Sequence, residues 1–216
     1  ILEKTWQFTE KGKGTCVGRP VPGMQVKIIG IEEKILPSFE PSMELGEGEI
    51  GEIIVKGPVV TKSYDQLEDE TAQAKINENG EVWHRMGDLG YIDSKGLLWF
   101  CGRKAERVVT TGSVYFTDCC EAIFNRHPGV FRTALIGIGG LENNIPAIVI
   151  EPEKGKYPRG AGAKEEFISK LRALGAVNPL TRNIECFFFA KKFPVDVRHN
   201  AKIHRLALAK KFQSCR

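Results

Sequence analysis

Three charged side chains stand where they could handle an anionic, hydroxyl-bearing ligand. Asp88 follows a glycine in the run Trp83-His84-Arg85-Met86-Gly87-Asp88-Leu89. A carboxylate presented there, at the start of a hairpin, can accept from both hydroxyls of a ribose. An aspartate in a turn also commonly caps its own backbone. Gly102-Arg103 follows ~14 residues later, just past the returning strand of the hairpin, a geometry that would bring Arg103 near Asp88. Its planar fork suits ribose or phosphate oxygens; the alternative is a surface ion pair worth little. Lys202, in His199-Asn200-Ala201-Lys202, reads as the start of a helix, where the dipole disfavours a cation. An anionic ligand would offset that cost, and a solvated loop lysine is the other reading. No glycine-rich phosphate loop accompanies these residues.

The elements that must position them are legible in outline. Met24–Ile29 alternates and Ile50–Val55 is a β-branched run between glycines, so residues 17–60 read as β-structure with a polar loop from Pro37 to Gly48. Residues 68–76 begin acidic and carry a late lysine, which predicts a short helix. Gly90-Tyr91-Ile92, a turn at Asp93–Gly96 and Leu97–Phe100 predict the hairpin. Past Arg103 the texture changes. Thr117 or Asp118 can cap a helix, with Glu121 at the reciprocal capping position for Asp118. Strands are expected at Thr133–Ile138, Ala147–Ile150 and Ile184–Phe189. Helices are expected over 163–174, where Phe167, Ile168, Leu171 and Leu174 form one stripe, and from Ile203 to Phe212. The fold class is α+β.

Bulk properties narrow the function classes. No apolar run approaches the ~20 residues of a membrane span. The start at Ile1-Leu2-Glu3-Lys4 has no apolar leader, and a first residue other than methionine reads as a processed or truncated product. Six cysteines (Cys16, Cys101, Cys119, Cys120, Cys186, Cys215) show no CxxC pair and no accompanying histidine pattern, so a metal site is not expected. All six read as thiols of a reducing, cytoplasmic compartment. Cys119 and Cys120 would point about 100° apart on a helix, so at most one should face the core. Residues 1–104 hold 13 Lys+Arg against 17 Asp+Glu, whereas the remainder holds 18 against 10. That change of sign suggests two units and an anionic partner for the second. The basic residues lack the aromatic interleaving of a nucleic-acid groove.

The order Gly18-Arg19-Pro20-Val21-Pro22-Gly23, Gly48-Glu49-Ile50-Gly51-Glu52-Ile53, Gly87-Asp88-Leu89-Gly90-Tyr91, Gly102-Arg103-Lys104, Ala201-Lys202 resembles the AMP-forming adenylating enzymes: acyl-CoA synthetases, peptide-synthetase adenylation domains and luciferases. The resemblance covers nearly the whole chain. It implies a β-rich, barrel-like end of the large AMP-binding domain over 1–103 and a small mobile α+β domain over 104–216. It implies that Asp88 and Arg103 bind the ribose of ATP, that Ala105 is the hinge, and that Gly112 lines the acceptor tunnel. Lys202 would bridge the substrate carboxylate and the α-phosphate. ATP/AMP and Mg²⁺ would be the cofactors, CoA a further one, and a fatty or β-hydroxy fatty acid the substrate. The reaction would be carboxylate plus ATP giving acyl-adenylate and pyrophosphate.

Some positions depart from the family pattern: Met86 where threonine is usual, Ala105 where Asp or Lys is frequent, Val114 after the Gly112 loop, and Ala201 before the lysine. The family's phosphate loop, adenine-binding segment and acyl pocket would lie upstream of Ile1 in the same protein, so the chain alone is expected to be inactive and to bind ATP weakly or not at all. Residues 102–109 and 194–203 are similar to the β-lactone synthetases of olefin biosynthesis, in which the acid's own hydroxyl displaces AMP. An ordinary fatty acyl-CoA ligase is a close second. A non-catalytic module that keeps the fold is the alternative of a different class.

Overall fold

In the computed structural model the described residues are 2–140, 144–196 and 202–213. The chain divides into two units, Ile1–Glu3 with Gly14–Ala105, and Lys4–Lys13 with Glu106–Arg216.

The first unit is built on a six-stranded sheet of β1 (Thr15–Gly18), β2 (Gln25–Ile29), β3 (Gly51–Lys56), β4 (Lys75–Glu78), β5 (Glu81–Ile92) and β6 (Leu98–Arg103). Its order is β1-β6-β5-β3-β2, and every pairing is antiparallel. The 12-residue β5 organises the sheet. One edge pairs with β3; the other pairs with β4 over its first half and with β6 over its second. Ile29, Leu36, Ile54, Ile76 and Trp83 pack as its core beneath Phe39 and Met43.

The acidic-first segment does form a helix, α2 (Glu68–Ala74), but ends earlier than its charge pattern implies. Lys75 and Ile76 pair instead with His84 and Trp83. Ile76 is thereby wholly buried against Trp83, so tertiary burial overrides helix propensity there. The hairpin turn closes as expected. Asp93 accepts from the backbone of Lys95 and Leu97 at 2.9 Å each, and from Trp99 Nε1 at 2.9 Å.

The second unit opens with most of α1 (Leu2–Thr9), an element its sequence pattern does not announce. It continues with a short hairpin, β7 (Val108–Val109) and β8 (Val114–Tyr115), then α3 (Thr117–Phe124), β9 (Val130–Ile138), β10 (Ile145–Pro152), α4 (Ala161–Ala176), β11 (Cys186–Phe189) and α5 (Arg205–Phe212). The sheet order is β11-β10-β9, with β10 antiparallel to β9 and parallel to β11. Both faces are buried, which is why β9 and β10 read as near-continuous apolar runs. Leu135, Ile148 and Ile150 face a cluster with Phe124 of α3 and Leu171 of α4. Ala134, Ile136 and Val149 face Leu208 and Phe212 of α5.

Two local expectations for α3 fail. Cys119 and Cys120 are both 1% exposed. Cys120 joins the sheet-side cluster, while the far side of the helix is covered by the segment around Gly12, where an added Cβ would lie 3.0 Å from the Cys119 carbonyl. A helix covered on two faces buries adjacent residues. Nor does Glu121 close a capping box. The N-cap is Phe116, without a side-chain cap bond, and the Glu121 carboxylate points inward instead. Among the described residues Cys16, Cys101, Cys119, Cys120 and Cys186 are in no disulfide; Cys215 lies outside the described residues.

Candidate functional site

Asp88 and Arg103 are directly opposed across β5 and β6. Asp88 does not start the hairpin, as its sequence context suggests; it sits within β5 at a bulge. Between the pairs Glu52↔Leu89 and Ile54↔Arg85, three residues of β5, Met86 to Asp88, face the single Ile53 of β3. Gly87 takes φ +69°, which a side chain disfavours, and so lets the strand bulge there. Gly90 has a different reason: a Cβ would fall 2.2 Å from the Trp99 carbonyl oxygen.

The bulge turns the Asp88 carboxylate toward Arg103, with Oδ1 2.9 Å from Nη1. The contact is a charge pairing without hydrogen-bond alignment, for Oδ1 is buried and has no hydrogen-bond partner. Arg103 is half exposed and also donates to the Met86 carbonyl at 3.2 Å. Burial pushes the Asp88 carboxyl above the usual aspartate range, and Arg103 opposes that shift. A largely desolvated carboxylate beside a half-exposed guanidinium is suited to a ligand that brings hydroxyl donors.

A buried ion network, which spacing did not reveal, holds this bulge. Arg85, immediately before it, donates Nε and Nη2 to both oxygens of Glu52 at 3.1 and 2.7 Å. It also reaches the carbonyls of Glu32, Lys34 and Gln73. Lys104, immediately after Arg103, bonds the same Glu52 at 3.1 Å and the Glu32 carbonyl. One carboxylate, 2% exposed, thus anchors the strands on both sides of the Asp88–Arg103 pair. The glycine-flanked Glu52 was visible as a motif residue, but its partners lie 33 and 52 positions away.

Lys202 and Gly112 belong to the second unit. Lys202 precedes α5 rather than opening it. Its carbonyl accepts from the Asp196 amide at 3.0 Å, Ile203 bridges antiparallel to Val195, and the His204 amide bonds the Pro194 carbonyl. Ile203 is buried and Lys202 is exposed, so this short ladder directs the ammonium outward. No opposition to the helix dipole is therefore involved. The motif residues His199, Asn200 and Ala201 lie outside the described residues. Gly112 is in the turn between β7 and β8, closed by the Thr110 amide on the Ser113 carbonyl at 2.9 Å. Nothing lies within 4 Å of a Cβ added there, so the unit's own packing does not demand glycine. Ala105 is the last residue of the first unit.

Cavities of about 950 and 600 Å³ in the second unit are lined by Phe167, Leu174 and Val177 and by Lys154, Arg159 and Lys191 among others; neither is lined by Lys202. Among the described residues no cluster of His, Cys, Asp or Glu could hold a metal. No helix of the described residues is long and apolar enough to cross a membrane.

No protein-family model matches the chain. It is 44% identical over 213 residues, 96% of its length, to an olefin beta-lactone synthetase of Xanthomonas campestris, and 42% identical over the same span to another of Stenotrophomonas maltophilia. The chain spans 38% of the length of each of these curated relatives. Its fold is shared with ATP-bound MatB from Rhodopseudomonas palustris, at a TM-score of 0.71 and 22% identity, covering 93% of this chain and 36% of that one.

Proposed function

We infer that this chain, related along nearly its whole length to the olefin beta-lactone synthetases, is part of an ATP-dependent, AMP-forming acid-activating enzyme. The parent protein would join a fatty or β-hydroxy fatty acid to AMP with release of pyrophosphate. The observation that supports this most is the Asp88–Arg103 pair, a largely buried carboxylate beside a half-exposed guanidinium, a combination suited to the vicinal hydroxyls of a ribose. In this reading Asp88 accepts from the ribose, Arg103 donates beside it, and Ala105 is the hinge. Lys202 offsets the repulsion between the incoming carboxylate and the α-phosphate. The positive balance of the second unit's sequence suits closure onto a triphosphate. Mg²⁺ would accompany that triphosphate, without a ligand assigned in this chain.

The acceptor is proposed to be the acid's own β-hydroxyl, by analogy with the beta-lactone synthetases. The open space at Gly112 leaves room for CoA as the alternative acceptor, with a close-approaching thiol as the reason for glycine there. Incubation of the parent protein with ATP, Mg²⁺ and a long-chain β-hydroxy acid, without CoA, separates the two. A β-lactone with AMP release supports the first; thioester formed only on adding CoA replaces it with the second. Cysteines outside any disulfide among the described residues suit a reducing compartment, and a cytoplasmic location belongs to this reading. A module that has lost catalysis is less well supported, because Asp88, Arg103 and Lys202 are all kept.

Asp88→Asn is expected to raise the KM for ATP about tenfold or more, the worth of a charged hydrogen bond at ~1.5–3 kcal/mol. The same change should stabilise the fold at neutral pH. A carboxyl whose folded pKa is raised costs stability once the pH rises above its unfolded value, about 3.9. Wild type and Asp88→Asn should therefore melt alike near pH 3, with the variant gaining as the pH rises. Thermal melts at pH 3 and 7 beside ATP kinetics check both halves; a variant less stable at pH 7 contradicts the second.

A further inference from the structure

The boundary between the units is bracketed by ion pairs on Lys104 and Glu106, two positions apart. Lys104 is fixed within the first unit by Glu52 and the Glu32 carbonyl. Glu106, the first residue of the second unit's main segment, is fixed within that unit by Arg205, at 2.8 Å between Oε2 and Nη1. Only Ala105 lies between the two anchors.

Arg205 does more than hold Glu106. Its Nε and Nη2 donate at 2.8 and 2.7 Å to the two oxygens of Glu121, which is buried in α3 and accepts the Leu135 amide at 2.8 Å. Burial alone would lower the basicity of Arg205, but the Glu121 and Glu106 carboxylates raise it well above the ordinary value. Arg205 is also the first residue of α5, three positions after Lys202, and the intervening Ile203 is buried in the sheet cluster. The Arg205 guanidinium therefore joins the residue just past the boundary to the core helix, and the Arg205 backbone follows directly on the Lys202 ladder.

We propose that Arg205 is a positioning residue, and that through Glu106 it locks the Lys202 segment to the point where the chain enters the second unit. A backbone turn at Ala105 then carries Lys202 with it as one rigid piece. The inference rests on the adenylating role given to Lys202 above. Glu106→Gln removes the charge from the link, keeping at most a neutral hydrogen bond, and leaves the buried Arg205–Glu121 pair intact, whereas Arg205→Ala would strand Glu121 and endanger folding.

The test is acid-dependent exchange of labelled pyrophosphate into ATP by the parent protein. Four forms are compared: wild type, Glu106→Gln, Lys202→Ala and the double variant. Glu106→Gln should lower kcat roughly tenfold to a hundredfold, as small misplacements of a reacting group do. KM for ATP should hold, and the melting temperature should move by no more than a few degrees, the pair being partly exposed. In the Lys202→Ala background Glu106→Gln should cost nothing further, because the group it positions is gone. Equal losses in both backgrounds, or full activity in Glu106→Gln, overturn the positioning role while leaving Lys202 catalytic. If Lys202→Ala alone exchanges normally, the role of Lys202 itself fails, and the coupling with it.

Discussion

Lys202→Ala in the parent protein is expected to cut acid-dependent adenylation by about 10²–10³-fold, the usual cost of removing one preorganised charge-stabilising group. ATP affinity should stay within a few-fold, because the ribose contacts belong to Asp88 and Arg103. The expectation follows from where the lysine stands. Its backbone is pinned by the Asp196 amide and by the Val195–Ile203 bridge, and its side chain is exposed. A flexible loop lysine would contribute little, since ordering it would consume much of the electrostatic gain. A lysine presented from a paired strand end has part of that ordering already made. Lys202→Arg keeps the charge but spreads it over a planar fork, and should restore only part of the rate. Pyrophosphate exchange and ATP titration read the two quantities separately. An unchanged exchange rate in Lys202→Ala would assign the work to another group and move the chain toward the non-catalytic reading.

How much of this was legible in the sequence depended on range. The hairpin that opposes Asp88 and Arg103 was readable because its turn is local: Asp93 satisfies amides two and four residues on. The strands β9 and β10 were readable because burial on both faces makes them continuously apolar. What was not readable depended on distant partners. The bulge at Gly87 arises from a mismatch with β3, more than thirty residues earlier. The end of α2 at Ala74 is decided by the pairing of Ile76 beside Trp83. Glu121 had the spacing of a capping residue, but Arg205, 84 positions away, supplies the stronger partner. Lys202 was read as a helix start, and it is not one, because the short ladder before α5 has no periodic signature.

Glu52→Gln is expected to destabilise the chain by about 3–5 kcal/mol, the range for removing one member of a buried ion pair. Glu52 and Arg85 are 2% and 5% exposed, and loss of the carboxylate leaves two cations, Arg85 and Lys104, without their shared counter-charge. The three carbonyls around Arg85 soften the loss but carry no full charge. For a chain of this length the melting temperature should fall by roughly 10 °C or more. Arg103→Ala is the control. Its pair with Asp88 is half exposed, so its removal should cost under ~1 kcal/mol. Equal losses in the two variants would show that the network contributes no more than a surface pair. A triple replacement, Glu52→Leu with Arg85→Met and Lys104→Met, asks what the network is for. Apolar groups of similar size often match or exceed a buried ion cluster in stability. Most of the stability should therefore return, but the directional bonds that fix the residues flanking Asp88 and Arg103 will not. The triple variant should melt near wild type and, in the parent protein, still bind ATP about tenfold more weakly, a ~1.4 kcal/mol loss. Recovery of both would mean that packing alone sets the bulge.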